Sequence, residues 1–170
     1  MEAPLTKLIM SVNASFQAIP SALYNKIKER IPLGKTDDIE LLYPSDEDSE
    51  SFEESELMEV GFRDWWIFHL AFSTLGPPLL YAIQGDITFS AGINTNPEEE
   101  PFQGDHYIGY ISSENVQKIA AAIMNFTYLQ LQNIVNESQK FPSLQRDLET
   151  LQEFYKKAAE LGMAVMITIA

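Results

Sequence analysis

The sequence predicts an α+β domain in which a small mixed sheet is packed by several helices. Three observations lead there. Apolar residues recur at helical spacing in several separate stretches. Runs with strand-like patterning occur mainly at the N-terminus, near 106–112 and at 163–169. The last of these, within GMAVMITIA, is apolar on both faces, as a covered central strand would be.

The N-terminal stretch LIMSVNASF (8–16) alternates. Ile9, Ser11, Asn13 and Ser15 fall on one face, and Met10, Val12, Ala14 and Phe16 on the other. Pro20 suits a first helical position, and Leu23, Tyr24, Ile27 and Ile31 form the apolar stripe of the helix that follows. Pro32 and Gly34 stop that helix. TDDIELLYP holds one short helical turn. SDEDSESFEESE (45–56) has seven acidic residues and no basic one, the composition of a solvated loop. A calcium loop would need a glycine and alternating oxygen ligands, which this stretch lacks. A strongly apolar helix is expected from about 56 to 73, ended by Gly76-Pro77-Pro78. LLYAIQ (79–84) reads as a short helix closed by Gly85. Residues 86–105 read as a long loop with a possible short strand at Ile87-Thr88-Phe89.

HYIGYIS (106–112) is the second strand. Ser112 or Ser113 caps a helix with Val116, Ile119, Ala120, Ile123 and Met124 inward. Thr127 and Gln130 have capping-box spacing and open another, with Leu131, Ile134 and Val135 inward. The longest helix begins at Pro142-Ser143. Its stripe is Leu144, Leu148, Leu151, Phe154, Tyr155, Ala158 and Leu161, and Gly162 sits where a left-handed C-terminal residue belongs. Its Glu153 and Lys157 are spaced for an ion pair on a solvated face. No repeat or linker divides the 170 residues, so one domain is expected over 1–170.

Charge and composition narrow the function. Eleven Lys and Arg against twenty-five Asp and Glu give a formal charge of −14. A field of that sign repels phosphate backbones and anionic lipid, so neither nucleic acid nor a membrane surface is an expected partner. A basic protein partner, or a second copy of the chain, is compatible with it. There is no cysteine, which removes disulfides and thiolate chemistry and fits a reducing compartment. The first twenty residues lack the pattern of a signal peptide. A soluble cytoplasmic protein is the expectation. No phosphate-binding glycine loop, nucleophile elbow or zinc-protease motif occurs, and no cofactor or metal is implied. Asp105 and His106 with Glu98, Glu99 and Glu100 form an oxygen-rich stretch, but one imidazole without a spaced second ligand is a poor metal signature.

The segment DWWIFHL (64–70) is where a site would lie. Trp65 and His69 are four apart and share a helix face. His69 is either a packed imidazole or the titratable group of an indole-lined pocket that Tyr107 and Tyr110 would complete. Those two tyrosines fall on opposite faces of their strand, one expected in the core and one exposed. Two functions follow. The first is a non-catalytic interaction or regulatory protein with an acidic surface. The alternative is a small-molecule binder or hydrolase with its pocket at Trp65 and His69.

The order of blocks resembles the YfbM-like family of small uncharacterised bacterial proteins. The residues carrying the resemblance are Trp65, His69 and Gly76; Ala82, Ile83 and Gly85; Tyr110, Ser112 and Val116; then Phe154, Tyr155, Ala158, Ala159, Gly162, Ala164 and Val165. It covers about 60–170, and more loosely 8–30. The acidic insert at 45–56 has no counterpart in it. The resemblance implies a single cytoplasmic α+β domain and no particular activity.

Overall fold

A computed structural model describes residues 13–30, 58–88, 93, 107–135 and 143–170. Among these, five strands form one sheet: β1 (Ala14–Ile19), β2 (Glu59–Phe62), β3 (Ile87–Thr88), β4 (Tyr107–Ile111) and β5 (Ala164–Ile169), in the order β2-β1-β5-β4-β3. The helices are α1 (Ser21–Arg30), α2 (Trp65–Leu75), α3 (Tyr81–Gln84), α4 (Ser113–Ile123), α5 (Tyr128–Val135) and α6 (Leu144–Glu160). The α+β class holds. The sheet, however, is antiparallel at every pairing rather than mixed.

β5 is central, as its two-faced apolar pattern required. Val165, Ile167 and Ile169 enter a large core with β1's Ala14, Phe16 and Ala18 and with α2, α4, α5 and α6. Ala164 and Met166 face the other way, into a smaller cluster with Leu23, Tyr24 and Ile27 of α1. This second cluster explains a correction. Tyr107 and Tyr110 do lie on opposite faces, but both are buried, at 2% and 1% exposure. α1 covers the face on which one tyrosine was expected to be exposed.

Other expectations need adjusting. The helix placed from about 56 begins at Trp65, because Glu59–Phe62 is a strand paired with β1 in the register Gln17↔Glu59 to Ala14↔Phe62. The helical reading followed the apolar density of 57–72; the Gly61 break marked the strand instead. Met124 and Leu161 are half-exposed or more, since each lies just past the end of its helix. The caps lie where their residue types place them. Ser112 Oγ accepts from the Asn115 N–H at 3.2 Å. Thr127 and Gln130 bond reciprocally at 2.8 and 3.1 Å. Gly162 has φ +65°. Residues 8–12, Ile31, TDDIELLYP and the acidic stretch 45–56 fall outside the described residues.

Candidate functional site

α2 starts directly after β2, at Asp64, and its sequence is apolar almost all round. Trp65, Ile67, Phe68, His69, Ala71 and Phe72 are buried. His69 has no exposed surface. Its Nε2 lies 3.4 Å from Ser73 Oγ, one turn on. Its Nδ1 has no hydrogen-bond partner among the described residues. Burial lowers its pKa from 6.5 to about 4, with the Ile93 backbone pulling weakly the other way. The ring is therefore neutral at physiological pH and a weak base. The indole beside it is Trp66, at 6.5 Å between ring centroids, and Trp66 in turn meets Trp65 edge-on at 6.1 Å. Trp66 is thus a ring neighbour of His69, one turn back on the same helix.

The two tyrosines are divided by the sheet. Tyr107 lies in the large core with Trp65, and its hydroxyl donates to the Gln84 carbonyl at 2.7 Å. Burial raises its pKa, so it is a neutral donor. Tyr110 lies in the smaller cluster on the far face. Trp65, His69 and Tyr107 thus share one side of the molecule and Tyr110 the other.

Two polar groupings were not legible in the sequence. Asp86 is a junction: Oδ2 accepts from the Ser112 N–H (2.9 Å), Ser112 Oγ (2.9 Å) and Asn115 Nδ2 (2.7 Å), and Oδ1 from the Tyr24 hydroxyl (3.3 Å). It ties α1 and β3 to the N-terminus of α4, where a carboxylate is favoured by the helix dipole. The second joins the starts of α2 and α6. Ser143 Oγ donates to Asp64 Oδ2 at 3.0 Å, and Asp147 faces Asp64. Partial burial and then the Asp64 carboxyl raise the Asp147 pKa from 3.8 to about 6. A folded-state pKa above the unfolded one means stability that is complete below pH 3.8 and is lost as pH rises through 6. Asp147→Asn is accordingly expected to raise the melting temperature at pH 8 by about 2 °C, with the difference gone at pH 4. Equal gains at both pH values would show that the fold does not hold the Asp147 carboxyl in its neutral form.

Among the described residues an open concavity lies elsewhere, between β2 and α6, with a volume of about 730 Å³. Met58, Val60 and Phe154 form its floor; Arg146, Glu149, Glu153 and Lys157 stand at its rim. β2 is an edge strand among the described residues. The Ala18 N–H donates to the Met58 carbonyl at 2.9 Å, which sets the alternation: Met58, Val60 and Phe62 bond to β1. Glu59 and Gly61, between them, turn their backbone N–H and C=O outward. Glu153 and Lys157 do not close into the expected ion pair. The ion pair found among the described residues is Lys118–Glu114 at 3.1 Å, on α4. The rim carboxylates Glu149 and Glu153 thus make no ion pair among the described residues, and Arg146 and Lys157 flank them on the same helix.

These features can be set beside known proteins. No family model and no curated protein matches the sequence. One solved structure does match the fold: a protein of unknown function, YfbM, from Escherichia coli. It is 16% identical, covers 93% of this chain and 99% of that one, and superposes with a TM-score of 0.56. The chain has the YfbM fold. That likeness is one of fold alone, and it assigns no activity, since YfbM is itself described as of unknown function. The YfbM-like fold positions the residues above without naming a ligand for any of them. No helix among the described residues is long and apolar enough to cross a membrane.

Proposed function

We propose that this is a non-catalytic interaction or regulatory protein whose acidic surface engages a basic protein partner. The observation that carries the reading is the charge of −14 on 170 residues. Charge of that density accelerates encounter with a basic partner and discourages anionic ones. The chemistry of the interior supports the same reading. A general base works best with a pKa near the operating pH, and His69 at about 4 is well below it. The test is capture of partners at low and high salt, with identification of what is retained. A basic protein should be held at low salt and released as salt rises. Replacing residues 46–56 with Ser and Gly should weaken its capture. Retention of neutral or acidic partners, indifferent to salt and to that replacement, would count against the proposal.

A further inference from the structure

We infer that the β2 edge and the groove beside α6 form a docking site for an extended basic segment of a partner protein, which adds to the sheet as a sixth strand. This rests on the acidic-surface reading above and gives it a location. Three features converge. First, Glu59 and Gly61 present outward N–H and C=O groups at a strand that is the sheet's edge among the described residues, the template on which strand addition is built. Second, the groove floor of Met58, Val60 and Phe154 is apolar and lies on the helix side of that edge. An added strand would direct every other side chain over it. Third, the charge is complementary. Glu149 and Glu153 stand at the rim with no ion-pair partner among the described residues, and both are exposed. Arg146 and Lys157 lie beyond them, toward the two ends of the helix. A segment with Lys or Arg between its apolar residues places cations against the central carboxylates. A second copy of the chain is a poorer occupant, because two bodies of charge −14 repel.

β2 is four residues long, so a probe of about eight residues overlaps it fully. The probe is a fluorescein-labelled peptide of alternating Lys and Val, followed by anisotropy on the full chain. Two control peptides replace Lys with Glu, or carry N-methyl groups on the four central residues, which removes the donors a strand needs. The protein variant is Glu149→Lys/Glu153→Lys, two exposed positions whose change leaves the core intact. Binding of the Lys-Val peptide is expected to weaken about tenfold with each control and with the variant. Amide exchange at Glu59 and Gly61 should slow when it binds. Absence of binding overturns the site. So does binding that survives N-methylation, or that leaves those two amides unprotected. In those last two cases a basic ligand is still bound, and the acidic-surface reading stands without this location. Protection of Glu59 and Gly61 that grows with protein concentration alone would assign the edge to a second copy and overturn the proposal.

Discussion

Gly109→Ala is expected to be among the most damaging single substitutions in this chain, costing more than about 4 kcal/mol and leaving little soluble protein. A Cβ at Gly109 would stand 2.1 Å from the Gln84 carbonyl oxygen and 3.0 Å from its carbon. Both are backbone atoms, so no side chain can rotate away. The carbonyl is also fixed from the other side, since it accepts from the Tyr107 hydroxyl. Moving Gln84 would disturb its neighbours. Gly85 lies so close to β4 that its own Cβ would meet Tyr110 N and O at 2.8 Å, and the Asp86 N–H donates to the Tyr110 carbonyl at 2.8 Å. Moving β4 instead would strip it from the central strand, where Gly109 pairs with Ile167. Against a typical folding free energy of about 5–15 kcal/mol, either route removes much of the margin. Gly76→Ala is the internal comparison. Gly76 also has a positive φ, +78°, with ψ −173°, a region that glycine alone adopts readily, but a Cβ there meets nothing within 4 Å, so only the backbone strain of about 1–3 kcal/mol is incurred. Urea unfolding of the two variants separates the mechanisms. A Gly109→Ala protein within about 1 kcal/mol of wild type would mean that the close approach of α3 to β4 is wrong.

That contact also shows where the sequence is legible and where it is not. Helix caps, the long amphipathic α6 and the central strand β5 were readable because each is encoded by residues near one another in the chain: Ser112 with Asn115, Thr127 with Gln130, the Leu144-to-Ala158 stripe. The strand β2 was hidden because four residues rich in apolar and small side chains merge into the apolar helix that follows. Gly85 stood out in the block order, but its reason did not; that needs the backbone of Tyr110, twenty-five positions on. Asp86 looked like one more loop acid until Tyr24, Ser112 and Asn115 converged on it. The site was less legible than the fold for the same reason. Trp65, His69, Tyr107 and Tyr110 were linked by type and by spacing within their own elements. Which face of the sheet each occupies depends on α1, which local pattern does not place. The β2–α6 groove joins segments nearly ninety residues apart, and the period of neither one announces it.

His69 supplies the second large effect, and it is a dependence on pH. The imidazole is wholly buried and neutral in the fold, with its pKa lowered from 6.5 to about 4. In the unfolded chain it takes up a proton near pH 6.5. A group whose pKa is depressed by folding contributes stability above the unfolded value that is lost as pH falls toward the folded one. Wild type should therefore lose about 3 kcal/mol from this residue between pH 7 and pH 4, in addition to what its carboxylates contribute. His69→Leu removes that linkage. It also removes an Nδ1 that makes no well-formed hydrogen bond, the Ile93 backbone acting on the ring only from a poorer geometry, so the variant should be within about 1 kcal/mol of wild type at pH 7. The two urea curves should then separate as pH falls, the variant being the more stable at pH 4. The chain has two histidines, which makes a direct check simple. In a proton NMR titration the His69 ring should stay neutral down to about pH 5. A His69 resonance that titrates near 6.5 would place the ring in contact with solvent, and the indole-lined pocket would then return as the better account of DWWIFHL. A ring silent above pH 5 makes His69 a packing residue whose cost appears only in acid.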